Sequence, residues 1–187
     1  MTLPDLPVEV PVAGQPISRG RARMESIPLV PVGQILGLMS ILHDSPDLVN
    51  IYDISDEIGK EFGETIAILK AAEILELIET PKQDVRLTDL GRKFVAADRQ
   101  VRREIFSEQV FKLRLFHIII ALLKEYEEVD ADRIIKDISS ALPYDNPEKT
   151  FQTMIAWGRY AGLMDFNAKT DMVFVPAEDH TAEDQLH

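Results

Sequence analysis

Cysteine is absent from the 187 residues of the chain. Without a thiol, the chain cannot form a disulfide, a thiolate nucleophile or a zinc site with cysteine ligands. Long apolar runs are missing too. The longest, at residues 116–123, lies between Arg114 and Lys124 and is far shorter than the roughly 20 residues that cross a bilayer. We therefore expect a chain that works in a reducing, cytoplasmic environment and does not insert into a membrane.

The residue combinations of common catalytic and metal sites are also missing. None of the nine glycines belongs to a Gly-x4-Gly-Lys-Ser/Thr loop, which would cradle phosphates. The four histidines lack ligand spacing, and acid pairs such as Glu127–Glu128 stand without a nucleophile or base signature. We predict a protein without catalytic activity, a metal site or a cofactor.

An excess of positive charge is missing as well, since the formal net charge is −12. Residues 32–99 carry 13 acidic and 7 basic side chains, and residues 100–175 carry 12 and 10. Binding to a phosphate backbone draws on clustered lysine and arginine that release counterions. The charge pattern therefore disfavours nucleic acid as a partner.

Both ends of the chain lack hydrophobic periodicity. Residues 1–31 contain six prolines and predict an extended arm. Residues 176–187 are polar and acidic and predict a frayed tail.

Between these ends, one pattern occurs twice. In the first copy, apolar spacing predicts a helix over 32–43, a short helix with Asp53 as its N-cap, and a third helix over about 63–76. Strands at 77–80 and 84–87 follow, and then Thr88 caps a helix over 90–97. In the second copy, we predict one long helix over 102–127, with Phe106, Leu113 and His117 on one face, and a shorter helix over 131–141. A third helix is capped by Asn146 and is followed by a hairpin of 163–166 and 172–175.

Three helices followed by a hairpin form the arrangement of a winged helix. The sequence thus predicts a mainly α protein with small β-hairpin wings, classed as α+β. It consists of two tandem winged-helix domains over 32–99 and 100–175. A unit of about 65 residues has a marginal core, so two units gain by burying apolar surface against each other.

Several stretches resemble a known family, the C-terminal AAA-associated domain of ATP-binding subunits in nitrate/sulfonate/bicarbonate-type ABC transporters. They are Val32–Leu38, Ile51–Glu57, Ala71–Leu75, Leu87–Arg92 and Ala156–Ala161. The resemblance covers about residues 28–175, and its most specific part is Trp157-Gly158-Arg159-Tyr160. It implies a cytoplasmic accessory or regulatory module that contacts a transporter ATPase and carries no catalytic residues.

Members of that family typically follow a nucleotide-binding domain, which this sequence does not show. We therefore expect a free-standing homologue or an ATPase on a separate chain. The alternative function is a winged-helix regulator that binds DNA, because winged helices often place their third helix in the major groove. A third hypothesis is an oxyanion sensor. The sequence leaves the partner's identity open. It also leaves the oligomeric state open, with a homodimer among the alternatives.

Two groups of residues are candidates for function. Trp157, Gly158, Arg159 and Tyr160 predict a structural motif or an interface, with Trp157 anchoring the second core or the junction between the two domains. Arg99, Arg102 and Arg103, at the start of the second copy, are candidate contacts for an anion or a partner.

Overall fold

The computed structural model describes residues 24–45 and 47–176. Predictions for residues 1–23 and 177–187 lie outside this part. The described helices are α1 (Val32–Asp44), α2 (Ile51–Ile58), α3 (Phe62–Ile74), α4 (Asp89–Ala96), α5 (Arg99–Lys112), α6 (Arg114–Tyr126), α7 (Ala131–Ala141) and α8 (Pro147–Ala161). The strands are β1 (Val49–Asn50), β2 (Ile78–Glu79), β3 (Asp84–Leu87), β4 (Glu128–Asp130), β5 (Asp165–Asn167) and β6 (Met172–Phe174). The predicted mainly helical α+β class is confirmed.

The order helix, strand, helix, helix, strand, strand occurs twice, first from α1 to β3 and then from α6 to β6. Each half contains an antiparallel three-stranded sheet, ordered β1-β3-β2 and β4-β6-β5. The middle strands place Val85 and Val173 in the core, both fully buried. The halves therefore share one topology as well as one element order.

Each sheet holds a strand that the sequence prediction missed. β1 and β4 pair with the last strand of their hairpins, with Val49 opposite Val85 and Val129 opposite Val173. Two and three residues are too few to show the alternation by which strands are recognised. The predicted hairpins are thus sheets of three strands.

The short strands also correct the predicted cap of α2. Asn50 ends β1, and its side chain accepts a hydrogen bond from the Tyr52 amide. Asp53, predicted as the cap, lies inside the helix, where its charge favours the first turn. Asp130 ends β4 and caps α7 in the same manner.

The predicted helix over 102–127 is wrong, because the chain breaks at Leu113. This residue is extended, with φ −65° and ψ 123°, and separates α5 from α6. Glu25 from the N-terminal segment accepts a hydrogen bond from the Arg114 amide, the first of α6. The break turns the two helices onto different faces, so that His117 is exposed and packs on the Phe111 ring.

Two predicted caps are confirmed. The Thr88 hydroxyl accepts from the Gly91 amide at the start of α4, and Asn146 accepts from the Lys149 amide at the start of α8. Pro147 occupies the first position of α8, where no hydrogen-bonding amide is needed.

The core extends into the segment before α1. Ile27 and Val30 are each 2% exposed, and the Val30 carbonyl accepts a hydrogen bond from Trp157 Nε1 at 2.8 Å. The segment therefore packs against α8 of the second half. None of the described helices has the length and apolarity that crossing a membrane requires.

Candidate functional site

Helix α8 carries the four residues singled out in the sequence, and they face different surroundings. Trp157 is fully buried, with its ring edge-on to Phe106 at 5.9 Å and stacked on Phe116 at 6.4 Å. Tyr160 packs edge-on against Phe106 at 4.9 Å. These rings join α8 to both helices that flank the break at Leu113.

Gly158 lies where α8 approaches the strand that follows it. A Cβ atom built on Gly158 would lie 2.3 Å from Met164 Cγ, closer than any real contact. The position therefore excludes a side chain unless Met164 moves. Trp157 and Gly158 thus face the interior, and only Arg159 and part of Tyr160 reach the surface.

Arg159 is exposed and bound to the hairpin of the second half. Its Nε and Nη2 atoms both donate to Asp165 Oδ1, with Nε at 2.7 Å. This hydrogen bond from Arg159 lowers the pKa of Asp165 below its ordinary value, against a smaller opposing effect of burial. The ion pair fixes the guanidinium at the C-terminal turn of α8.

The three arginines at the start of the second half do not act together. Arg102 donates from Nε to the Phe94 carbonyl at 3.1 Å and from Nη2 to the Val95 carbonyl at 2.7 Å. It thereby satisfies the last carbonyls of α4 and joins that helix to α5.

Arg99 and Arg103 instead share a surface cleft with a residue that the sequence did not group with them. We call this the arginine cleft, of about 480 Å³, lined by Arg99, Gln100, Arg103, Arg159 and Tyr160. Arg159 lies 56 residues after Arg103 and reaches the cleft because α5 packs on α8. The spacing of residues along the sequence could not predict this packing of α5 on α8.

A second surface depression was also missed. We call it the acidic groove, of about 500 Å³, between α7, α8 and the β5–β6 hairpin. Ile135, Phe151, Ile155 and Phe166 contribute apolar surface to it. Its charged lining consists of one cation, Arg159, and four carboxylates, Asp130, Asp132, Glu148 and Asp171. Such a groove repels phosphates and suits a partner with apolar and basic groups.

The first half exposes two aromatic rings where α2 meets α3. Tyr52 and Phe62 stack with centroids 5.3 Å apart and are 57% and 46% exposed. Leu48, close in sequence, is 51% exposed. We call Tyr52 and Phe62 the aromatic pair. Exposed aromatic side chains of this kind are enriched at protein–protein interfaces.

No set of three or more histidine and carboxylate side chains in the described part of the chain is arranged to hold a metal ion. A histidine and a serine do share the cleft beside β3, where His43, Ser45 and Asp47 lie. The Ser45 hydroxyl, however, donates to the Ile41 carbonyl at 2.7 Å, within the end of α1. That bond occupies the proton a nucleophile would give to a base.

Comparison with protein families gives one match, the C-terminal AAA-associated domain, over residues 52–167. The match covers more than half of the chain and includes the β2–β3 hairpin and helices α3 to α8, so the chain belongs to this family. The predicted family membership is confirmed. Comparisons with curated proteins and with solved structures gave no match.

Proposed function

We propose that this chain is an accessory or regulatory module that binds the ATPase subunit of an ABC transporter of the nitrate/sulfonate/taurine type. Membership of the AAA-associated family over residues 52–167 carries the proposal, because the family is described by its association with ATPases. The module acts in the cytoplasm, at the inner face of the membrane, and biases the state of the ATPase.

Within this proposal, each half is a winged helix, with boundaries at 32–99 and 100–175. The twofold order helix, strand, helix, helix, strand, strand supports it, as do the equivalent sheet orders. In such a fold α3 and α8 occupy the position of the helix that reads DNA in DNA-binding relatives.

The charges on α3 favour a protein partner over DNA. Its exposed surface carries Glu64 and Glu73, while Lys70 is its one exposed cation within the described helix. In the acidic groove beside α8, four carboxylates stand against a single cation, Arg159. A phosphate backbone would therefore meet repulsion at α3 and at the acidic groove, since base and phosphate contacts rely on arginine and lysine.

The module has no catalytic activity of its own in this proposal. Its clefts are lined by arginines, by carboxylates around apolar side chains, or by a serine whose hydroxyl is bound within α1. Binding and positioning are the functions that such surfaces support. The aromatic pair is the surface that we assign to the ATPase contact, because buried aromatic side chains dominate the binding energy of many interfaces.

A nuclease-treated pull-down from native extract, with mass spectrometry as the readout, tests the proposal. The bait is the full chain, and the expected catch is a transporter ATPase or its permease. The variant Tyr52→Ser/Phe62→Ser should reduce recovery of the ATPase at least tenfold, in line with the loss of two aromatic interface residues.

The matched control is Tyr144→Ser/Val175→Ser, which removes two exposed apolar side chains from the second half. It should recover the ATPase as the unmodified chain does. If Tyr52→Ser/Phe62→Ser recovered as much ATPase as the control variant, the assignment of the ATPase contact to the aromatic pair would be wrong. Recovery of no ATPase or permease, with DNA retained when nuclease is omitted and released by salt, would favour the alternative of a DNA-binding regulator.

A further inference from the structure

The arginine cleft concentrates positive charge on an otherwise acidic protein. Arg99, Arg103 and Arg159 line one depression of about 480 Å³, together with the Gln100 amide and Tyr160. Arg99 and Arg103 form no hydrogen bond or ion pair with a carboxylate among residues 24–45 and 47–176. Only Arg159 is neutralised, by Asp165.

The two carboxylates next to Arg99 and Arg103 in the sequence accept hydrogen bonds from neutral groups. Asp98 caps α5 by accepting from the Val101 amide at 2.9 Å. Glu104 accepts from Gln100 Nε2, also at 2.9 Å. Neither forms an ion pair with Arg99 or Arg103, and no carboxylate is among the described residues that line the cleft.

Within α5 itself, the charges of Arg99 and Arg103 are unfavourable. Arg99 is the first residue of α5, where the helix dipole opposes a cation, and the two arginines repel each other at a spacing of four residues. The attraction of a bound anion to both guanidinium groups would offset these effects.

The structure also makes room for one of these guanidinium groups. Gly162 ends α8 in the left-handed conformation, with φ 72°, and a Cβ there would lie 2.5 Å from Arg103 Nη2. Without a side chain at Gly162, Arg103 can lie across the end of α8 beside Arg159. Arg159, in turn, is oriented by its two bonds to Asp165, which leave its Nη1 atom without a partner among the described residues.

We propose that the arginine cleft binds a compact dianionic oxyanion, phosphate or sulfate in chemistry, through Arg99, Arg103 and Arg159. Guanidinium groups present parallel N–H donors that match such oxygens, and charge-assisted bonds of this kind are about twice as strong as neutral ones. The cleft can hold the free ion or the phosphate group of a small monoester. The site goes beyond the proposed ATPase contact and does not depend on it.

Thermal unfolding of the full chain and titration calorimetry test the site, with sodium phosphate and sodium sulfate as probes. Sodium chloride at equal ionic strength serves as the reference, since these anions also stabilise proteins without binding. At about a hundredfold excess over the dissociation constant, we expect the melting temperature to rise by about 5 °C or more above the chloride reference. Arg99→Gln/Arg103→Gln should abolish that difference and weaken binding at least tenfold.

The double variant should remain folded in chloride, because it removes repulsion and no described hydrogen bond. The control is Lys70→Gln/Lys93→Gln, which removes the same charge from exposed positions of the first half and should keep the anion effect. An equal rise in the wild type and in Arg99→Gln/Arg103→Gln would overturn the proposal. Glycerol phosphate distinguishes the sources: tighter binding than phosphate identifies a monoester, and equal binding identifies the oxyanion alone.

Discussion

Two glycines in helices have opposite surroundings, and they show how packing decides what a residue must be. Gly158 lies against Met164, whereas a Cβ at Gly37 in α1 would meet nothing within 4 Å. Both are helical, so the intrinsic preference for alanine is the same at both positions. The difference between them is tertiary.

Gly158→Ala should lower the free energy of unfolding by about 1–3 kcal/mol, because Met164 must leave its packed position. Gly37→Ala should instead raise it by about 0.5–1 kcal/mol, because alanine loses less backbone entropy on folding. Urea unfolding of the two variants measures both effects. If Gly158→Ala proved as stable as Gly37→Ala, the close approach of Met164 to α8 would be refuted.

Local hydrogen bonds made several residues predictable. Thr88 and Asn146 could be predicted as caps because their residue types favour that position, and in the structure each accepts from an amide three residues ahead. Asn50 was missed because its helix begins at the end of a two-residue strand, which gives no periodic signal. The arginine cleft was half predicted, since Arg99 and Arg103 are close in sequence and Arg159 is not.

At the scale of elements, the segment before α1 is part of the tertiary structure. Ile27 and Val30 are buried, Glu25 binds the first amide of α6, and the Val30 carbonyl binds Trp157. The sequence placed this segment in an arm, because its prolines and lack of periodicity resemble a linker. Extended residues can pack well without any repeating pattern.

A chain that begins at Val32 should therefore be less stable than one that begins at Met24, by about 3–6 kcal/mol for two buried aliphatic side chains. Trp157 is the only tryptophan, so its fluorescence reports on this contact. Removal of Val30 should shift the emission to longer wavelength as water reaches the indole N–H. The chain beginning at Met24 keeps every described contact and serves as the control, and identical spectra from the two chains would contradict the prediction.

At the scale of the whole molecule, the two halves share contacts along several elements. α1 contacts α8, α5 contacts both α4 and α8, and Lys112 forms an ion pair with Glu76 at 2.9 Å. The division into two domains at residue 99 stays a prediction. Only two residues separate α4 from α5, and Arg102 of α5 donates a hydrogen bond to the Phe94 carbonyl of α4.

This sharing predicts a single unfolding transition. Ile54→Ala, in the core of the first half, should lower stability by about 2–5 kcal/mol. We expect the midpoint of unfolding to shift by the same amount in both signals, the Trp157 fluorescence, which reports on the second half, and the far-ultraviolet circular dichroism. Val101→Ala, at an exposed position, is the control and should shift neither. A Trp157 transition unchanged by Ile54→Ala would show that the halves unfold independently.

The sequence by itself determined the class of fold, the repeated order of helices and hairpins, the acidic charge and the family. These depend on interactions within a few residues and on composition, both of which can be read along the chain. The tertiary structure alone decided the break at Leu113, the burial of Trp157 against Val30 and the meeting of Arg159 with Arg103. The first two depend on hydrogen bonds between residues 89 and 127 positions apart. Periodicity and capping act over about four residues, so they carry no information about such distant partners.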